Sequence, residues 1–263
     1  MDRPVILFRT FEHEAEAQAA ARHIPVLERL DDVRSGDLVI GRFSLVPFYE
    51  GVEGEIASKG GRLLVPYADA RYIAQMGWLA DLREMTPATW FASNLSAIPA
   101  DLAHGYFVKG VTNSRKHEWQ RSFAATSAEL PALIADLASD PLIGGQEIVV
   151  REFRPLATYG VAATGLPITD EYRYFVLDGQ VLSCGYYWDS YVGALGIKPD
   201  PGRIPAGFVA EAIARIPLRH YVMDIALTAQ GEPLVVEIND PGLSGLAGND
   251  PDVLYAALAR ALT

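Results

Sequence analysis

Asp224, Glu237 and Asn239 are placed where acidic and amide side chains can work together. They lie on two apolar stretches, 221–227 and 233–239, joined by a turn near Gln230-Gly231, so the segment reads as a hairpin. With the turn there, Met223 faces Ile238, Ile225 faces Val236 and Leu227 faces Leu234. One face is then wholly apolar, and the other sets Asp224 directly opposite Glu237, with Asn239 two residues further on. Like charges paired across a sheet repel. One carboxyl can keep its proton, a cation can sit between the two, or the face can be a solvated surface. The donors are hard oxygens, which suit Mg²⁺ or Mn²⁺ better than zinc.

Other residues suggest phosphate chemistry, each with a plainer reading beside it. Lys109 ends the apolar strand 106–109, where a compact ammonium suits a phosphate or simply extends into solvent. Thr112, Asn113 and Ser114 offer hydroxyl, amide and backbone donors to phosphate oxygens, or a polar cap for a helical block at 115–137. Asp178-Gly179 is a strong hairpin turn signal, and it puts Glu171, Arg173, Phe175 and Leu177 on one face. Arg173 there could neutralise charge on a transferred phosphoryl group, or form a cross-strand ion pair, with Glu171 as one partner. Arg154 could bind a carboxylate or phosphate, or lie on the surface. The single cysteine, Cys184, reads as a small buried hydrophobe, and the five histidines show no metal-ligand spacing.

The elements that position these residues change character along the chain. Strands at 5–8, 38–41 and 63–65 and a helix over 12–23 predict a small α/β unit with parallel strands. A helix is expected over 69–82, with Ile73, Met76, Leu79 and Leu82 on one face. Strands at 106–109 and 147–150 flank the helical block, and two hairpins follow, separated by a helix over 205–216. Asp250-Pro251-Asp252 caps a last helix running to Leu262. The body is therefore α+β behind a small α/β front.

The chain has 263 residues, enough for one large domain or two small ones. It carries 33 Asp+Glu against 22 Lys+Arg, a net charge of -11, which argues against wrapping duplex nucleic acid. No apolar run reaches the length of a membrane span, and the N-terminal residues lack a signal-peptide pattern. One cysteine allows no intrachain disulfide and no multi-thiolate zinc site. These points predict a soluble cytoplasmic protein with no membrane partner, and they leave the oligomeric state open.

The stretch 222–227, through Gly231 to Glu237-Ile238-Asn239-Asp240-Pro241-Gly242, resembles the metal-binding end of the ATP-grasp enzymes. The intervals of 13 and 15 residues from Asp224 to Glu237 and Asn239 are similar to those of the D-alanine–D-alanine ligase branch. Tyr106-Phe107-Val108-Lys109-Gly110 resembles the family's strand-borne phosphate lysine, and Ile148-Val149-Val150-Arg151-Glu152-Phe153 its adenine-reading hinge. The resemblance implies an ATP-grasp fold, two α+β lobes (roughly 68–150 and 151–263) enclosing the nucleotide behind an α/β domain at 1–67. It implies ATP with Mg²⁺ (Mn²⁺ as the alternative ion) and Asp224, Glu237 and Asn239 as metal ligands. It also implies nucleotide contacts from Lys109, Thr112, Ser114, Val150, Arg151, Glu152, Phe153 and Arg71, with Arg173 and Lys109 acting on the phosphoryl group. The implied activity is an ADP-forming carboxylate–amine ligase working through an acylphosphate on an amino acid, peptide or similar small acceptor. An ATP-grasp kinase and a catalytically silent ATP-binding module are the alternatives. The chain departs from the family pattern in two places. Val111-Thr112-Asn113-Ser114-Arg115-Lys116 stands where a glycine-rich loop is usual, and Arg71 where an earlier lysine is usual.

Overall fold

The computed structural model describes residues 2–8, 14–42, 48–115 and 117–263. Residues 12–13 of the expected first helix and Lys116 lie outside the described residues. The chain begins β1 (Arg3–Phe8), α1 (Glu14–Ala21), β2 (Val26–Leu27), β3 (Asp37–Arg42), α2 (Tyr49–Ser58) and β4 (Arg62–Leu63). These strands form a parallel sheet in the order β2-β1-β3-β4. The unbroken apolar run Val5–Phe8 is buried on both faces. Val5 and Leu7 pack with Tyr49 and Ile56 of α2, while Ile6 and Phe8 face Ala20 of α1 and the C-terminal helix. A strand covered on both sides needs no polar alternation, so the run is continuous. The short strand β2 carries no sequence signal, because two residues define no period.

The expected helix over 69–82 is broken in two: α3 (Tyr67–Ala74) and α4 (Trp78–Asp81). Met76 has φ 55°, and Gly77 follows it against the Tyr72 ring, where a Cβ would come within 2.6 Å of a ring carbon. Only glycine admits that approach. The apolar spacing that suggests one helix is real, since Ile73, Met76 and Leu82 all enter the core, but the backbone turns between them.

The central sheet is antiparallel, in the order β5-β8-β6-β7, from β5 (Thr89–Phe91), β6 (Tyr106–Gly110), β7 (Phe123–Ala124) and β8 (Ile148–Glu152). Here the helical block 115–137 is corrected. Regular helix covers only α5 (Leu130–Ala138), and upstream of it β7 pairs with β6 between short 3-10 turns at Trp119–Arg121 and Ser127–Glu129. Trp119 and Phe123, four apart, have helical spacing. Their rings instead stack 5.6 Å apart against Phe153, a contact that reverses the chain.

The C-terminal part adds the ribbon β9 (Thr158–Val161) and β10 (Pro167–Thr169), then β11 (Glu171–Leu177), β12 (Gln180–Tyr186), α6 (Val192–Leu195), α7 (Ala206–Arg215), β13 (His220–Leu227), β14 (Pro233–Asn239) and α8 (Pro251–Leu262). The antiparallel sheet runs β12-β11-β13-β14. Asp178 (φ 48°) and Gly179 (φ 75°) make the two-residue turn between β11 and β12, the geometry that Asp-Gly favours. The Asp250 carboxylate caps α8 by accepting from the amides of Asp252 (2.8 Å) and Val253 (3.3 Å). Tyr255 and Leu258 of α8 then bury against both the N-terminal sheet and Leu177 of β11. The last helix thus joins the first sheet to the last one.

Candidate functional site

Strand alternation puts Tyr172, Tyr174, Met223, Ile225 and Ile238 into the main core, and sends Arg173, Asp224, Glu237 and Asn239 to the opposite face. At this end the hairpin has the expected register: Met223 pairs with Ile238 and Asp224 with Glu237. Beyond it a bulge shifts the register by one, so that Ile225 meets Val235 and Leu227 meets Pro233, not Val236 and Leu234. Val236 is the extra residue, and its carbonyl accepts from Arg151 Nη1 at 2.7 Å.

Asp224 is 1% exposed and carries a two-pronged ion pair with Arg173, Nε to Oδ1 at 2.8 Å and Nη2 to Oδ2 at 2.7 Å. The ion-pair alternative for Arg173 is therefore realised with Asp224 across β11 and β13. Burial disfavours the guanidinium charge, but the Asp224 carboxylate more than offsets it, so Arg173 is held above the ordinary arginine range. Arg173 also lies over the Tyr187 ring, 4.8 Å from its centre, and donates to Gly245 O at 2.9 Å. Lys109, at the end of β6, is buried and ion-paired to Glu237. Asn239 Nδ2 reaches both carboxylates, at 3.1 Å from Asp224 Oδ2 and 3.3 Å from Glu237 Oε2. The facing carboxylates are thus neutralised by a buried lysine and a buried arginine from neighbouring strands.

A cleft of about 330 Å³ opens beside this cluster, between the central and C-terminal sheets. Lys109, Ser114, Arg151, Glu152, Phe153 and Glu237 all line it. Its walls are largely apolar, from Phe107, Leu166, Leu234 and Val236, with Trp119 and Trp188 also contributing. A flat apolar slot with a few convergent polar groups at one end is the usual form of a small-molecule site. Glu152 is half-buried, with Arg154 Nη1 3.9 Å from its Oε1. Arg154 lines the cleft as well.

Other candidates fall elsewhere. Val150 is fully buried in the centre of its sheet, paired to Trp90 and Val108, and does not line the cleft. Thr112 binds Gln146 through both its amide (3.1 Å) and its hydroxyl (2.9 Å), outside the lining. Arg71 is exposed on α3, also outside the lining. Among the described residues, the helix expected from residue 115 begins only at Leu130, so Ser114 does not cap it. The Arg151 side chain ties the sheets together: besides Val236 O it donates to Thr89 Oγ1 (3.0 Å) and Thr86 Oγ1 (2.9 Å). Complete burial pulls its guanidinium down to about 10, opposed by Glu237.

Glu171, Thr169, Leu234 and Val236 join the cleft without being sequence candidates for it. An unbulged hairpin would put Leu234 and Val236 on its core face. Strand alternation sets Glu171 on the same face as Arg173, and that is the available signal. Thr169 Oγ1 donates to Glu171 Oε2 at 2.8 Å and accepts from Trp188 Nε1 at 2.7 Å.

A metal centre with nucleotide phosphate fits this donor set. Among the described residues no three His, Cys, Asp or Glu side chains form a metal cluster. Two carboxylates and an amide leave the remaining positions of an octahedral ion to outside oxygens, as phosphates and water supply for Mg²⁺. The cationic end at Lys109 and the aromatic slot at Phe107 and Phe153 match the two ends of a nucleotide triphosphate. No described helix is long and apolar enough to cross a membrane.

A family profile described as an ATP-grasp domain, family 3 of its clade, matches residues 99–258. The chain is similar in fold to "ATP-grasp ligase PsnB complexed with precursor peptide PsnA2 and AMPPNP", at 16% identity and TM-score 0.57, covering 98% of this chain and 95% of that one. It is likewise similar to D-cycloserine synthetase DcsG (15% identity, TM-score 0.57, 98% of this chain and 99% of that one). The macrocyclase MdnC bound with precursor peptide MdnA from Microcystis aeruginosa MRC is 14% identical, with TM-score 0.58 and 99% of each chain covered. At these identities the likeness is one of fold, and the fold is ATP-grasp. No curated protein sequence matches the chain.

Proposed function

We propose that this chain, which belongs to the third ATP-grasp domain family of its clade, is an ATP- and Mg²⁺-dependent carboxylate–amine ligase. The nucleotide lies between lobes 68–150 and 151–263, its base in the apolar slot and its phosphates toward Lys109. The observation that carries this reading is the convergence of Lys109, Arg173, Asp224, Glu237 and Asn239 at one end of that slot. The like-spaced motif of the D-alanine–D-alanine ligase branch supports the metal assignment.

Mg²⁺, when bound, neutralises charge on the phosphoryl oxygens. Asp224, Glu237 and Asn239 hold it, and Asn239 turns its amide over to present Oδ1. Lys109 leaves Glu237 for a phosphate oxygen, so one cation replaces another at the carboxylate. Arg173 keeps Asp224 ionised and oriented and adds positive charge beside the transferred group. A donor carboxylate oxygen attacks the γ-phosphorus and the bond to the ADP oxygen breaks, giving an acylphosphate. An acceptor amine then attacks the acyl carbon, and inorganic phosphate leaves. Solved structures of similar fold carry precursor peptides in their titles, which supports a peptide or amino-acid acceptor.

Calorimetric titration of ATP with and without Mg²⁺, repeated on Glu237→Gln, tests this reading. Binding that requires Mg²⁺ and weakens at least tenfold in the variant is expected. No ATP binding in either condition overturns it. A stable phosphorylated product without amide formation would assign a kinase, and binding without turnover across an acceptor panel would assign a silent module.

A further inference from the structure

The loop after Lys109 stands where the cleft needs its phosphate-end wall, and side chains tether it on both sides of Ser114. On one side, Gln146 Oε1 accepts from the Thr112 amide (3.1 Å) and hydroxyl (2.9 Å). Gln146 Nε2 donates to Asn113 Oδ1 at 2.6 Å and to Leu142 O at 3.0 Å. Gln146 can come this close only because residue 110 is glycine: a Cβ there would lie 2.5 Å from Gln146 Oε1.

On the other side, Arg115 makes a two-pronged pair with Asp140, Nε to Oδ2 at 2.8 Å and Nη2 to Oδ1 at 2.6 Å. Asp140 is itself anchored. It is 4% exposed, accepts from the amides of Leu142 (2.9 Å) and Ile143 (3.3 Å), and takes a second arginine, Arg121, at 3.1 Å. Ser114, between the two tethers, lines the cleft.

We propose that Gln146 and Asp140 are positioning residues that hold segment 111–115 in its cleft-facing form before any nucleotide arrives. The phosphate end of the site is then preset, not formed by closure of a glycine-rich lid. This deepens the nucleotide reading above and rests on it for the identity of the ligand. A preset wall loses little conformational entropy on binding, whereas a closing loop has to be ordered at that moment.

Hydrogen exchange of the nucleotide-free protein tests the tether without assuming any ligand. The Val111 and Thr112 amides should be protected with no nucleotide present, and Mg-ATP should change them less than twofold. Gln146→Ala should speed exchange at Thr112 about tenfold, as expected for losing its hydrogen bonds, and leave α5 and β8 unchanged. Gly110→Ala should act the same way by displacing Gln146. Trypsin should cut after Arg115 in Asp140→Asn and spare that bond in the parent protein. If Asp140→Asn fails to fold, Arg115→Gln read by exchange replaces it. Exchange of 111–115 at unstructured rates without nucleotide, protection appearing only with Mg-ATP, or no effect of Gln146→Ala would each overturn the proposal. A protein that keeps the protection but binds no ATP would retain the tether and lose the nucleotide reading.

Discussion

Arg173 shows how a single side chain sets the chemistry of its neighbours. It supplies the counter-charge for Asp224, holds the loop after Asn239 through Gly245 O, and lies over Tyr187. A lysine would keep the charge but could not make the planar fork. Arg173→Lys is therefore expected to lose about 1–3 kcal/mol in urea unfolding, with a matching loss of Mg-dependent ATP binding. Cys184 is the opposite case, a group kept silent by its surroundings. Burial pushes its thiol up to about 11, partly offset by the Tyr174 hydroxyl. At pH 8 it should react with a thiol reagent far more slowly in the native protein than in urea. Equal rates would show that the thiol is exposed.

At the scale of elements, the bulge in the β13–β14 hairpin decides where the cleft meets the core. By inserting Val236 it turns that carbonyl toward Arg151, and so joins the central sheet to the C-terminal one. Arg151→Met would remove a desolvated charge but strand Val236 O and both threonine hydroxyls. Leaving buried acceptors unpaired costs about 1–3 kcal/mol each. The variant should unfold at lower denaturant, by about 2 kcal/mol in all, and bind ATP more weakly without touching a metal ligand. A denaturation midpoint equal to that of the parent would show that the link is dispensable. The hairpin is legible in the sequence up to this point, because alternation and the turn near Gly231 together place Asp224 opposite Glu237. The bulge is not, since an inserted residue leaves the same apolar letters in the sequence and changes only which of them pair.

Across the whole molecule, the N-terminal sheet is fastened to the site-bearing body by buried polar groups as well as by α8. Arg42, at the end of β3, pairs with Glu16 of α1 at 2.6 Å and donates to the carbonyls of Pro241 and Ser244, just beyond Asn239. His220 lies in the same region, with Nδ1 2.7 Å from Val176 O, and is almost completely buried. Burial pulls its imidazole down to about 4, with Arg42 and Arg219 pushing the same way and the Val176 carbonyl and Asp178 opposing. An unfolded chain would protonate this histidine near 6.5. Its contribution is thus complete above about pH 6.5 and is lost as pH falls toward 4, about 3 kcal/mol in all. Urea midpoints measured from pH 7 to pH 4 should fall, and His220→Gln should flatten part of that fall. An unchanged slope in the variant would assign the acid sensitivity to carboxylates alone.

The sequence by itself determined what short-range rules govern. Asp178-Gly179 specified its hairpin, Asp250 capped the last helix, and the buried parallel front followed from continuous apolar runs. The opposition of Asp224 and Glu237 came from a turn and a period of two. Tertiary structure decided the rest: the pairing of Arg173 with Asp224, 51 residues on, and of Lys109 with Glu237, 128 residues on. It also decided the break at Met76-Gly77 and the tethered loop at 111–115. Turn chemistry and side-chain alternation act within a few residues and can be read from the letters. Which strand lies beside which, and which carboxylate a lysine meets, depends on how separate sheets pack, and no local period records that.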